Sequence, residues 1–89
     1  MKIVLSKCYG GFSLSPMALD ILGIEYEEDI ERTDPRLVEV VEADAKAASG
    51  LFAELTVVEI PDEATDYSVD EYDGFESVVY VVDGKLHWA

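Results

Sequence analysis

The start of the chain consists of short apolar blocks separated by turn residues. Residues 2–6 form an apolar, β-branched run, which predicts a buried first strand. Ser15 is a good N-cap, Pro16 suits the first helical position, and Gly23 is a stop signal. These signals predict a short helix over residues 16–22.

A second helix is predicted by the same start signal further along the chain. Asp34 and Pro35 begin it and Gly50 ends it. Glu42 and Lys46 are four residues apart, in the order that favours an ion pair on one helix face. Its apolar stripe has helical spacing and consists of Leu37, Val41, Ala45 and Ala48.

The last third of the chain predicts a meander of strands. Two Asp-Gly dipeptides, Asp73-Gly74 and Asp83-Gly84, are strong signals for two-residue hairpin turns. The strands that they join are predicted over residues 67–72, 75–82 and 85–88.

A two-residue first turn fixes which residues lie opposite each other. The predicted cross-strand pairs are Tyr67 with Tyr80, Val69 with Val78, and Glu71 with Glu76. The last pair has like charges and is mildly destabilising. Either this register is wrong, or the hairpin tip stays acidic for a reason outside the fold.

The same register places Val79 and Val81 on the other face of the central strand, where the second hairpin brings Leu86 and Trp88. A strand that is apolar on both sides is expected to have helices over part of one face.

Two further segments complete the predicted fold. Residues 51–60 are expected to form a strand that ends before Pro61, and residues 24–30 suit either an edge strand or a loop. We therefore predict a single α+β domain over residues 1–89. It has two helices packed on a mostly antiparallel sheet of four to five strands, with a C-terminal β-hairpin.

Charge changes the interpretation more than any motif does. The chain has 20 Asp and Glu against 6 Lys and Arg, a net charge of -14, and no basic residue from Ala47 to Gly84. Self-repulsion at such a charge costs stability, so packing alone does not account for it. A basic partner, adaptation to high salt, and solubility alone are the three explanations.

Composition also narrows the setting. Hydrophobic residues make up 49% of the chain, which indicates a folded domain. The N-terminus lacks the pattern of a signal peptide, and the lone Cys8 excludes an internal disulfide. We expect a cytoplasmic protein that anionic membranes and bare nucleic acid repel.

Signals for catalysis or metal binding are weak. Cys8 and His87 are the one nucleophile–base combination of the usual kind, but a lone cysteine is more often a small core residue. Gly10-Gly11 matches no phosphate-loop motif. Residues 70–74 lack the ligand spacing of a calcium loop. We expect no enzymatic activity, no cofactor and no metal.

Several segments together resemble a family of small, acidic phage and prophage proteins with a Cys-Tyr-Gly-Gly-Phe-x-Leu-Ser opening. The matching segments are residues 2–4, 8–15, 32–35, 37–42, 52–55, 58–62 and 71–74. The resemblance implies a phage setting and no enzyme activity. Small acidic phage proteins often inhibit host defence, and anti-CRISPR proteins that imitate DNA are similar in size and charge, an analogy at the level of the whole protein.

The resulting hypothesis is a non-enzymatic phage inhibitor in the cytoplasm of the infected cell. Its acidic, DNA-mimicking surface would bind a basic, nucleic-acid-binding defence protein, such as a CRISPR effector subunit. The predicted partner-binding residues are Glu25, Glu27, Glu28, Asp29, Glu31, Asp62, Glu63, Asp66, Asp70, Glu71, Asp73 and Glu76.

The alternative hypothesis is a small accessory or structural phage protein that acts through apolar contacts. Trp88, Tyr9 and Phe12 are the candidate contact residues, and the acidity would then reflect solubility or adaptation to high salt.

Overall fold

A computed structural model describes all 89 residues as an α+β fold with five strands in two antiparallel sheets. The predicted fold class is confirmed, with the strands divided between a two-stranded and a three-stranded sheet. The elements in chain order are β1 (Lys2–Ser6), α1 (Pro16–Leu22), a 3₁₀ turn (Glu27–Asp29), α2 (Pro35–Ala43), α3 (Ala45–Ala48), β2 (Leu55–Glu59), β3 (Asp66–Tyr72), β4 (Phe75–Val82) and β5 (Lys85–Trp88).

The first helix begins and ends where its signals predict. The hydroxyl of Ser15 accepts a hydrogen bond from the backbone N–H of Ala18, at 3.2 Å. Gly23 ends α1 in the left-handed conformation, with φ 69°, which a residue without a side chain adopts at little cost. Local sequence therefore determines α1.

The second predicted helix is divided in two by Asp44, so the expectation of one continuous helix to Gly50 is wrong. Asp44 has an extended backbone, and its carboxylate accepts a hydrogen bond from the N–H of Ala47. An aspartate favours such a cap over a helix interior. The expected pair of Glu42 with Lys46 is absent, because Glu42 binds Lys2 of β1 at 2.8 Å.

β1 and β2 form the central layer. Val4 lies opposite Val57, and both contact the helices; Ile3 lies opposite Val58, and both face the three-stranded sheet. β2 is shorter than predicted, because residues 51 and 52 form a turn and residues 53 and 54 connect that turn to the strand. The open question about residues 24–30 is answered by the 3₁₀ turn at Glu27–Asp29.

The two predicted hairpins are confirmed in their turns and their register. Asp73, Gly74, Asp83 and Gly84 all have positive φ, as a two-residue hairpin turn of this kind requires. The observed cross-strand pairs of β3 and β4 include Tyr67 with Tyr80, Val69 with Val78, and Glu71 with Glu76.

The fold therefore has three layers: helices, the β1–β2 sheet, and the β3–β4–β5 sheet. The helices pack on β1 and β2, and β4 contacts β1 from the other side. Val78 is the residue of β4 that joins the buried cluster of Ile3, Leu5 and Ile60. The expectation that helices cover part of one face of β4 is wrong, because the helices pack on the two-stranded sheet instead.

Candidate functional site

An ion pair with a buried carboxylate joins the helical part of the molecule to the three-stranded sheet. Arg32 donates two hydrogen bonds to the carboxylate of Glu76, at 2.7 and 2.8 Å. Its guanidinium also lies over the ring of Phe12, 3.6 Å from the centroid. Planar, two-point contact of this kind is the strong form of an arginine–carboxylate pair.

The same pair caps the free edge of β1. The backbone N–H of Ser6 donates to the Glu76 carboxylate at 2.8 Å, and Arg32 donates to the carbonyl of Val4 at 3.2 Å. The backbone carbonyl of Arg32 accepts the N–H of Val4. Polar groups of an edge strand that would otherwise be unpaired are thereby satisfied.

The expectation that Glu76 belongs to the acidic surface is therefore wrong. Its exposed fraction is 5%, and it is the one buried acid of the chain. Arg32 neutralises it, which also explains how the fold tolerates Glu71 opposite Glu76. The like-charge pair has a cause inside the fold and gives no support to an external role for the hairpin tip.

The other predicted acids of the hairpin lie on the surface. Asp66 and Asp70 are exposed on β3, on the face that points away from β1. Glu71 accepts a hydrogen bond from the N–H of Gly74, and Asp73 occupies the exposed turn. Neither Asp66 nor Asp70 has a basic residue within ion-pair distance.

Asp62 and Glu63 lie at the opposite end of this hairpin, beside the N-terminus. The terminal ammonium of Met1 is 2.7 Å from the Asp62 carboxylate and lowers the pKa of that group by hydrogen bonding and charge. Glu63 is exposed in the same loop.

The acids of residues 25–31 surround the 3₁₀ turn. Glu25, Glu28, Asp29 and Glu31 are exposed, and Glu27 is half-buried. The segment leads directly into Arg32, so it lies at the end of the hairpin that holds Glu71 and Glu76. The structure thus brings residues 27–31 toward the hairpin tip and leaves Asp62 and Glu63 at the other end.

Basic residues neutralise little of this charge. The carboxylates in ion pairs are Asp62 with the N-terminus, Glu42 with Lys2, Glu76 with Arg32, and Asp34 with Arg36. Hydrogen bonding to Arg36 lowers the pKa of Asp34, and hydrogen bonding to Glu42 raises the pKa of Lys2. Every other acid of the twenty lacks a basic partner within 4 Å.

The residues considered for catalysis have separate environments. The thiol of Cys8 donates to the backbone carbonyl of Phe52, at 2.9 Å, and lies 3.6 Å from the Ser6 hydroxyl. His87 stacks on the ring of Tyr80, with centroids 5.3 Å apart. No hydrogen bond joins the thiol to the imidazole, and no group of three or more His, Cys, Asp or Glu side chains is placed to hold a metal ion.

The outer face of the three-stranded sheet, which we define by Val79, Val81, Leu86 and Trp88, is apolar. Leu86 and Trp88 are exposed, and the two valines are half-buried. Val79 lies opposite Trp88, and Val81 lies opposite Leu86. Their common face was readable from the two hairpin registers. The sequence did not predict that the helices leave this face uncovered, because it did not show on which sheet the helices pack.

Of the other candidate contact residues, Tyr9 is exposed and packs near Phe75, with centroids 5.6 Å apart. Phe12 is half-buried, and its ring packs beneath the guanidinium of Arg32.

No protein-family model, curated protein or solved structure matches this chain. None of its helices combines the length and apolarity needed to cross a membrane.

Proposed function

We propose that this protein is a non-enzymatic binding protein whose acidic surface occupies the nucleic-acid-binding surface of a basic partner protein. The observation that carries the proposal is the surplus of unpaired surface carboxylates. Nineteen of the twenty acids are outside the core, and four of the twenty have an ion-pair partner. Such a field accelerates encounter with a positively charged surface and disfavours partners of like charge.

The charge density of the hairpin indicates how closely its surface imitates that of DNA. Asp66, Asp70, Glu71 and Asp73 span seven residue steps, about 23 Å of extended chain. One strand of DNA carries about seven phosphates over that length. The hairpin thus has about half the linear charge of a DNA strand, which supports competition through a general electrostatic attraction more than phosphate-by-phosphate mimicry.

The resemblance to small phage proteins gives the proposal a setting. In that setting the partner is a host defence protein that binds nucleic acid, such as a CRISPR effector subunit, and the protein acts in the cytoplasm of the infected cell.

The test uses three double charge reversals that change net charge equally. Asp66→Lys with Asp70→Lys alters the hairpin, and Glu28→Lys with Glu31→Lys alters the 3₁₀ region. Asp20→Lys with Glu39→Lys alters exposed helix positions outside the predicted site and is the matched control.

Each immobilised variant is incubated with nuclease-treated bacterial lysate at about 0.1 M and about 1 M salt. The Debye length falls from about 10 Å to about 3 Å between these conditions. We expect the wild type and the helix control to retain basic nucleic-acid-binding proteins at low salt, and one of the site variants to lose them. A retained protein must then be displaced from labelled duplex DNA by the wild type, measured by fluorescence anisotropy. Equal retention by all three variants would contradict a localised acidic site.

A further inference from the structure

The outer face of the three-stranded sheet combines apolar and acidic columns in a fixed register. Along β4 and β5, Val81 lies opposite Leu86 and Val79 lies opposite Trp88. On the other side of β4, Asp66 lies opposite Val81. Two cross-strand rows therefore run from a polar position on β3 to apolar positions on β4 and β5: Asp66–Val81–Leu86 and Ser68–Val79–Trp88.

The column on β3 contains two acids and ends in Tyr72 beside the hairpin turn. Ser68 lies opposite Val79, and Asp70 lies opposite Ser77, two residues further along. Because alternate residues of a strand share a face, Asp66, Ser68 and Asp70 stand on the same side as the valines. Asp66 and Asp70 are about 13 Å apart along the strand.

Two of these apolar side chains are largely uncovered, and the two valines are half-buried. Leu86 is 67% exposed and Trp88 is 62% exposed. Every residue of β3 and of β5 is exposed, whereas the opposite face of β4 is packed against β1 through Val78. Contiguous apolar surface with a polar border is typical of an interaction site, and Trp is the residue most enriched among those that dominate binding.

We propose that this outer face is the docking surface for an amphipathic protein segment of the basic partner, one that presents aliphatic side chains beside Lys or Arg. The aliphatic groups contact Trp88, Leu86 and the two valines, and the cations lie against Asp66 and Asp70. This inference rests on the proposed function and adds that apolar contact holds the complex that charge brings together.

Charge complementarity selects this occupant over the others. A second copy would bring a further net charge of -14 and the same acidic column to the interface. Anionic lipid and nucleic acid are repelled by the same carboxylates. A cationic, amphipathic segment satisfies both columns at once.

The groove between α1 and α2 is another apolar surface. Met17 and Ile21 are partly exposed there, beside Val40. Its border contains Arg36 as well as Glu39 and Asp44, so its charge favours no particular class of partner.

The test exploits Trp88, the one tryptophan of the chain. Its fluorescence reports burial of the outer face directly, because indole emission moves to shorter wavelength when water is removed. The probe is a short synthetic peptide of alternating lysine and leucine. A lysine–serine peptide lacks the apolar groups and a glutamate–leucine peptide lacks the cations.

We expect a saturable blue shift with the lysine–leucine peptide, and affinities weaker by about tenfold or more for each control peptide. Asp66→Asn with Asp70→Asn should weaken binding several-fold, while Asp20→Asn with Glu39→Asn, which removes the same charge from the helices, should not. Trp88→Ala, followed by anisotropy of labelled peptide, should also weaken binding by about tenfold. Circular dichroism of each variant confirms that it is folded.

Three results would overturn the proposal: no blue shift with the lysine–leucine peptide, equal weakening by the two charge-neutralised variants, or a concentration-dependent blue shift without peptide. The last would identify a second copy as the occupant. If lysate proteins are lost on reversal of Asp66 and Asp70 but retained by Trp88→Ala, the docking surface fails while the proposed function stands.

Discussion

The helical half of the molecule, which we define as residues 1–60, and the β3–β5 sheet differ in how many of their side chains are buried. Fourteen of the 16 buried residues lie between Ile3 and Ile60, and the later part of the chain contributes Glu76 and Val78 alone. The helical half also carries five of the six basic residues, while Lys85 is the sole one in the sheet. The first region is organised around its own core, and the second is attached to that core by one face and presents the other to solvent.

The difference teaches that the β3–β5 sheet combines an excess of acids with exposed apolar side chains. From Asp66 to Trp88 the β3–β5 sheet has six acids and one base, Lys85, and it also exposes Leu86 and Trp88. A sheet that needed only to be soluble would have a polar outer face, since antiparallel sheets commonly alternate apolar and polar positions. The binding function proposed above would account for both properties together.

Breaking the attachment between the two regions should have the largest effect. Arg32→Ala leaves the Glu76 carboxylate buried without its partner, which costs about 3–5 kcal/mol in comparable buried pairs. Urea denaturation measures the loss in the free energy of unfolding. Arg36→Ala is the control, because it removes the exposed pair with Asp34 and should cost less than about 1 kcal/mol. Equal losses for the two variants would show that the Arg32–Glu76 pair does not hold the regions together.

Two neighbouring valines on opposite faces of β4 compare the two sides of the sheet directly. Val78→Ala opens a cavity against Ile3 and Leu5 and should lower the free energy of unfolding by about 2 kcal/mol. Val79→Ala, on the outer face, should cost less than about 1 kcal/mol, because its side chain is only partly buried. The comparison uses thermal and urea unfolding of both variants. A larger loss from Val79→Ala would mean that the outer face is already covered.

The two hairpin turns have the same backbone form but different surroundings. A Cβ at Gly74 would lie 2.2 Å from the carbonyl oxygen of Tyr9, whereas one at Gly84 would meet nothing within 4 Å. Both glycines have positive φ, so alanine strains each backbone. The steric clash should make Gly74→Ala costlier than Gly84→Ala by about 1–2 kcal/mol in urea unfolding. Equal costs would contradict the packing of the first turn on the N-terminal loop.

The smallest expected effect concerns Asp62, which ties the start of the hairpin to the N-terminus. Its pKa is lowered in the folded state, so the pair contributes stability above the unfolded value of about 4 and loses it as pH falls through the folded value. Asp62→Asn should therefore be slightly less stable than the wild type near neutral pH and equal to it in strong acid. Glu63→Gln removes a neighbouring charge without a basic partner and is the control. A difference that grows on acidification would contradict the assignment.

Local sequence signals predicted the fold where side chains cap or turn the backbone within a few residues. Ser15, Gly23 and the two Asp-Gly turns determine α1 and both hairpins, including the register. Asp44 shows the limit, because the same carboxylate that suits a helix surface also caps a helix start, and spacing alone does not separate the two. The partnership of Lys2 with Glu42 joins residues that are distant in sequence.

The sequence predicted the charge of the candidate site but not which of its residues are buried and which are exposed. Glu76 looked like any other acid of the hairpin until the fold placed Arg32 beside it across 44 positions of sequence. The strand register predicted which residues share the outer face. Its exposure depends on tertiary packing, because the helices pack on β1 and β2 instead. Such long-range choices are what a pattern of local signals leaves undetermined.

The central claim is that the outer face of the β3–β5 sheet is where this protein meets its partner. Its most direct test is a titration of isotope-labelled protein with the lysine–leucine peptide, followed by amide chemical shifts in nuclear magnetic resonance spectra. We predict that the largest shifts fall on Asp66, Asp70, Leu86 and Trp88, with the Trp88 indole among them. Largest shifts in residues 25–31, or at Met17 and Ile21 between the helices, would contradict the claim.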